Sequence, residues 1–413
     1  MHWVAPMTRR HLLAGLAATV VTLPTRAEEP VGPAETQAGF RILRARPADA
    51  GGAGAGVGPV LRVGRGQEVK IRLINELLEE TALHWHGVRG PNSMDGVPRL
   101  TQAPVAPGAS FDCAFRAPDA GTFWYHLYPP GQVALLHGAL VVEESEPVAV
   151  DRDAVLVLAA TGDAINVNGQ ASPDIAVRAN ERLRLRLINA SYRPLALRLD
   201  PHRATVMAID GQPAEPFVAR DGRVGLGPGN RIELFVDMTL EPGAAAPLRL
   251  ATDKDEVTIA RFRYGAGAPV RQSPLPDPKP LPTNALPSRI PLQNAQRLEV
   301  PIGRGAARWT DAKAATTAAA AFGPPLFSVK RGRTVVLGFK NGGEPVALHL
   351  HGHAARLLDN LDDGWKPFWL DTFVVAQQPM RIAFVADNPG KWLISSRPLR
   401  PDDAGLVTWF EVT

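Results

Sequence analysis

The chain of 413 residues has one cysteine, Cys113, so it has no internal disulfide and at most one thiolate to offer a metal. Cys113 sits in Phe111-Asp112-Cys113-Ala114-Phe115, where the odd positions share one face of a strand, a pattern that predicts a buried core thiol. Aromatic residues are scarce, at 6%, and the six methionines form no methionine-rich segment. Neither charge is in real excess. Lys and Arg number 45 against 41 Asp and Glu, and Arg9, Arg10 and Arg26 near the N-terminus supply most of the difference. A nucleic-acid partner therefore has no electrostatic support. After the N-terminal segment no apolar run approaches the ~20 residues that span a bilayer. Glycine and proline, at 38 and 39 residues, are plentiful and point to many turns and few long helices. At ~150 residues per domain the length predicts more than one domain.

Residues 1–27 read as an export signal. Met7-Thr8-Arg9-Arg10-His11-Leu12-Leu13 leads into an apolar stretch, and Thr25-Arg26-Ala27 supplies a cleavage site. The paired arginines are of the twin-arginine type, which predicts a periplasmic product with no transmembrane segment in the mature chain.

Alternation of period two recurs along the chain. Val69, Ile71 and Leu73 alternate with Lys70 and Arg72, and Leu183, Leu185 and Leu187 with Arg182, Arg184 and Arg186. This predicts half-buried strands of antiparallel sheets. One frame occurs three times, with an apolar residue, a turn residue three later, an apolar residue at six and Asn at twelve. The copies are Val63-Gly66-Val69-Asn75, Val177-Asn180-Leu183-Asn189 and Val329-Gly332-Val335-Asn341. Three copies of one unit imply three homologous β domains, placed at 37–148, 149–270 and 292–413. Residues 271–291 form a Pro-rich linker, an extended strap between the second and third domains. The Ala-rich run from Ala312 to Phe322 is a helical turn or a loop.

Five of the ten histidines fall into three groups: His84-Trp85-His86, Trp124-Tyr125-His126 and His349-Leu350-His351. On a strand, His-x-His places both imidazoles on one face, where they reach one metal or two neighbouring ones, and imidazole suits copper and zinc. Two such pairs in corresponding positions of the first and third domains, joined by a third group, predict a metal site between those domains. His353 is expected to hydrogen-bond beside the site, His202 to be a satisfied structural histidine, and His137 to lie in the core.

These motifs resemble those of the multicopper oxidases, the laccase-like family. The matches are His84-Trp85-His86-Gly87, Asp95-Gly96-Val97-Pro98, Gly121-Thr122-Phe123-Trp124-Tyr125-His126, His349-Leu350-His351-Gly352-His353 and Ala386-Asp387-Asn388-Pro389-Gly390-Lys391-Trp392. The resemblance covers essentially the whole mature chain. It implies an all-β protein of three cupredoxin-like Greek-key β-sandwich domains, with a trinuclear copper cluster between the first and third and a separate blue copper in the third. By the same resemblance His84 and His349 are the type 2 ligands. His86 and His126 serve one type 3 copper and His351 the other, while Asp95 is the acid that handles protons beside the type 2 copper. The alternative for Asp95 is a turn aspartate before Gly96.

The chain departs from the family where the blue copper belongs. The ligand positions read Val346, Ser396, Pro401 and Leu406, so the thiolate is missing, and with it the usual electron path to the cluster. Three cluster histidines are replaced by Tyr128, Ser395 and Arg397. Three functions follow as expectations. The leading one is a copper-binding homologue with one or two ions in a partial trinuclear site and at most residual copper oxidoreductase activity. The second is a non-enzymatic periplasmic scaffold with a protein partner, similar to the copper-free cell-division member of the family. The third, a working laccase-like oxidase, is disfavoured by the missing ligands. No small-molecule reductant is assigned, because in this family it docks beside the blue copper.

Overall fold

Each copy of the repeated frame ends in the same knot of hydrogen bonds. The turn residues Gly66, Asn180 and Gly332 all have left-handed backbone, at φ 76°, 59° and 82°, a conformation natural to glycine and tolerated by asparagine. Nine residues on, each buried asparagine spends its side chain on the backbone. Asn75 Nδ2 donates to the carbonyls of Glu79 and Val105, both at 2.8 Å, and its Oδ1 accepts the Leu77 amide. Asn189 does the same with Arg193, Leu226 and Ser191, and Asn341 with Glu344, Val375 and Gly343. Buried backbone groups at a loop need such partners, and a short amide side chain supplies both a donor and an acceptor.

The computed structural model describes residues 35–47, 56–128, 136–303, 305–306, 308–317, 322–359, 364–400 and 405–413; the expected signal at 1–27 lies outside them, as do Pro401 and the side chain of Arg397. The chain forms three cupredoxin-like Greek-key sandwiches of two sheets each. In each, the strand before the left-handed turn joins one sheet by a parallel pairing and the strand after it joins the other. Leu61–Gly64 pairs with His137–Glu143, Asp174–Val177 with Glu256–Tyr264, and Ser328–Val329 with Leu406–Val412. The strands after the turn, Glu68–Asn75, Glu181–Asn189 and Thr334–Asn341, run parallel to Phe40–Ala45, Arg152–Thr161 and Gln296–Ile302. The sheets are thus mixed rather than purely antiparallel, because the chain crosses from sheet to sheet at each left-handed turn.

Three apolar cores fill the sandwiches, built around Leu73 and Phe123, Leu185 and Phe262, and Leu337 and Phe384. Cys113 is buried in the first, and burial pushes its thiol up to about 12, so it offers no ready thiolate. The helical option for the Ala-rich run holds for Ala312–Thr317. Among the described residues no helix is long and apolar enough to cross a membrane.

The strand Glu181–Asn189 departs from its half-buried expectation, for its arginines are buried as fully as its leucines. Arg184 donates to Glu233 and Glu144, and Arg186 to Asp153, Glu233 and the Thr122 hydroxyl of the first sandwich. Arg182 pairs with Asp237 and also reaches the Leu275 carbonyl of the strap. The face that alternation assigns to solvent is covered by the first sandwich, and the charges survive burial because each guanidinium meets a carboxylate. Beside them Trp124, Val141, Val157 and Ile188 form an apolar seam. The strap is pinned by Asn284, which hydrogen-bonds Ala120 through both its amide and its carbonyl and also reaches Gln212.

Candidate metal centre

Period-two geometry puts the histidines on facing strands. In the first sandwich Ala82–His86 pairs with Gly121–Tyr128 so that His84 lies opposite His126 and His86 opposite Trp124. In the third, Val346–Leu350 pairs with Gly390–Pro398, His349 opposite Ser395. The two edges meet, and His84, His86, His126, His349 and His351 converge, all buried, on one cavity of about 40 Å³ with Trp124, Tyr128 and Ser395 in its wall. That is room for an ion or a water molecule and not for an organic substrate.

The outer nitrogens of the rings are spoken for. His84 Nδ1 donates to the Asp95 carbonyl at 2.6 Å, His349 Nδ1 to the Asp371 carbonyl at 3.1 Å and His126 Nδ1 to the Leu127 carbonyl at 2.9 Å. A carbonyl only accepts, so each of these Nδ1 atoms carries the proton and, in the neutral ring, the electron pair lies on Nε2. His84 Nε2 and His349 Nε2 lie 3.3 Å apart. Two unshared pairs that close call for an electrophile between or beside them, a proton or a metal ion. Burial holds His84, His86 and His351 well below the usual imidazole range, which disfavours the proton. A donor nitrogen from each of His84, His86 and His349 lies within 4.8 Å of the other two. Metal–imidazole bonds of ~2.0 Å reach a shared ion from such positions, so the residues fit copper.

Asp95 is the turn aspartate of its alternative reading, and it also contacts the histidines. It closes the single turn Asn92–Met94, and Gly96 after it has φ 79° with no room for a side chain, since a Cβ would lie 1.9 Å from the Leu83 carbonyl oxygen. Its buried carboxylate also accepts from His351 Nδ1 at 3.0 Å, while its backbone carbonyl holds His84. One residue of the first sandwich therefore orients a ring from each side of the interface. Burial pushes its carboxyl above the usual range, a shift the neighbouring imidazoles oppose.

His86 is held differently. Thr372 Oγ1 gives its hydrogen to Asp371 Oδ1 at 2.8 Å and accepts from His86 Nε2 at 2.8 Å, while the ring stacks on His349 with centroids 3.6 Å apart. For that nitrogen to bind a metal it has to give up the threonine. Asp371 and Thr372 escape any reading of local pattern, because nothing in Trp369-Leu370-Asp371-Thr372 marks a ligand holder. Gly229 of the middle sandwich was equally hidden, though the Gly227-Pro228-Gly229 turn was a visible signal. A Cβ on Gly229 would stand 2.9 Å from His86 Cε1.

The other described histidines lie apart from the cavity. His353 Nδ1 donates to the His351 carbonyl at 3.1 Å and its ring packs against Trp392, whereas its Nε2 finds no partner. His202 bonds Tyr264 Oη at 2.5 Å, and His137 is buried opposite His126 on the neighbouring strand. Val346, Ser396 and Leu406, three of the positions where the resemblance in sequence leads one to expect blue-copper ligands, line one cavity of about 310 Å³ together with Glu344 and Arg400. None of the three offers a thiolate, thioether or imidazole.

Family models described as multicopper oxidase match residues 50–147, 122–244 and 289–413. The crystal structure of Lac15 from a marine microbial metagenome is 32% identical, with TM-score 0.73, over 86% of this chain and 91% of that one. A multi-copper oxidase from Pseudomonas thermotolerans is 30% identical, with TM-score 0.75 and the same coverage. The multicopper oxidase MmcO of Mycobacterium tuberculosis is 26% identical over 85% of this chain and 80% of its own length. The chain belongs to the multicopper oxidase family, whose copper the histidine groups are suited to bind.

Proposed function

We propose that the protein is an exported, copper-binding multicopper oxidase homologue that holds one or two ions in a partial trinuclear site and no type 1 copper. The observation that carries this is the pair of Nε2 atoms of His84 and His349, 3.3 Å apart across the interface with both outer nitrogens committed to carbonyls. Copper supplies a redox centre to such a site when bound. The chain's own residues orient the imidazoles, exclude bulk water and place the Asp95 carboxyl beside His351, where a proton can be held. Without a cysteine near Val346 and Leu406 there is no thiolate route for electrons into the centre, so steady oxidation of phenols or metal ions coupled to dioxygen is absent or residual. Export in the twin-arginine manner to the periplasm belongs to the same reading and rests on residues 7–27.

The test is copper content and optical spectrum after loading under anaerobic conditions. One or two coppers per chain without an intense blue band support the reading. Four coppers with such a band, or laccase-like oxygen uptake, overturn it, and no copper at all leaves the copper-free scaffold for a periplasmic protein partner.

A further inference from the structure

The middle sandwich contributes no histidine to the centre, yet it sends a fully buried cation to the back of it. Arg231 has no exposed surface. Its guanidinium donates to Asp371 in a two-pronged pair, Nη1 to Oδ1 at 2.8 Å and Nη2 to Oδ2 at 2.5 Å. Nη1 also donates to the Gly229 carbonyl and Nε to that of Thr122. Asp210, also of the middle sandwich, accepts the Arg231 amide at 3.0 Å and the amides of Asp371 and Thr372 at 3.3 Å. The dipeptide Asp371-Thr372 is thus gripped from the middle sandwich through its side chain and its backbone. On its other side it grips the centre, since the Asp371 carbonyl receives His349 Nδ1 and the Thr372 hydroxyl receives His86 Nε2. Space confirms the fit from the ligand side. A Cβ on Gly87, directly after His86, would lie 2.1 Å from Arg231 Nη2, so glycine there admits the guanidinium.

We propose that Arg231 is a positioning residue of the metal centre: by locking Asp371 it fixes His349 with Nε2 toward His84, so the middle sandwich tunes copper binding without supplying a ligand. The inference rests on the copper reading above. A planar fork suits the task because two parallel hydrogen bonds define the rotation of a carboxylate, which one ammonium does not. Groups that orient a ligand in this way typically alter metal affinity by ~10–100-fold when removed.

The full chain is compared as Arg231→Lys, as Arg231→Gln and as Arg184→Gln, which breaks an ion pair just as buried that bonds neither the histidines of the centre nor Asp371 and Thr372. Three quantities are read: the copper dissociation constant by chelator competition, the electron paramagnetic resonance spectrum of the loaded chain, and the ring-nitrogen chemical shifts of His349 in the metal-free, histidine-labelled chain. The expected result is copper bound ~10-fold more weakly by Arg231→Lys and ~100-fold by Arg231→Gln, with altered hyperfine structure. His349 passes from one tautomer to a mixture, and Arg184→Gln loses stability alone. Arg231→Lys with the parent affinity, spectrum and nitrogen shifts overturns the proposal, and it decides the matter if Arg231→Gln does not fold. Should the parent bind no copper, the functional reading falls, while the His349 shifts still judge the positioning role: moved in Arg231→Lys they uphold it, unmoved they refute it.

Discussion

The nitrogen pair of His84 and His349 makes a demand that a metal meets, and a single residue on either side of it controls the answer. Copper at a hundredfold excess over its dissociation constant should add ~2.7 kcal/mol to the stability of the folded chain, seen as a raised melting temperature. His349→Ala should abolish that gain, and a copper-induced rise that survives the substitution would place the ion elsewhere. Gly229→Ala probes the other wall. The position has φ 87° and its new methyl would press on His86 Cε1, so both strain and contact act against the parent arrangement. A loss of ~1–3 kcal/mol in stability and weaker copper binding are expected, measured by calorimetry with and without the ion. Unchanged affinity would mean that His86 is free to move without consequence for the site.

At the scale of elements, the three asparagine corners share the same three backbone hydrogen bonds, to which Asn189 adds one from the Ser191 hydroxyl. Asn75→Ala, Asn189→Ala and Asn341→Ala each remove hydrogen bonds to two backbone carbonyls and one amide, and each should cost ~1–3 kcal/mol in denaturant unfolding. A neutral result at any one would show water replacing the side chain there. These corners were legible in the sequence because a left-handed turn and a buried asparagine are local demands, met at fixed spacing three times. The paired His-x-His segments were legible for a related reason, since alternation along a strand aims both rings the same way whatever surrounds them. The arginine face of Glu181–Asn189 was not, because alternation says which residues share a face and is silent on what covers it. Asp371 and Arg231 were invisible for a stronger reason. Their pairing joins positions 140 apart in sequence, and neither stands in a pattern that chain neighbours impose.

For the whole molecule, protonation sets the limits. Burial holds His84, His86 and His351 well below the usual value of 6.5, lowers His202 and brings His353 to about 4. Below pH ~6.5 the unfolded chain therefore binds more protons than the folded one, so stability is full above that pH and declines as pH falls through it. Asp210, raised to about 6 chiefly by burial, and Asp95, raised likewise, act in the opposite sense as pH falls, but two carboxyls oppose five histidines. The melting temperature should drop between pH 7 and 5, whereas copper binding by the folded chain should weaken only at lower pH, where protons reach the buried imidazoles. A flat profile would show that the histidines are not neutral in the folded chain. The charges locked between the first and middle sandwiches bear on another property, mechanical unity. Separating those two bodies would leave Glu233, Arg184 and Arg186 short of partners in a surface built to be covered. The pair should therefore denature as one calorimetric unit, with a van't Hoff enthalpy exceeding that of either alone, and Thr122→Val with Arg186→Met should split it into two transitions.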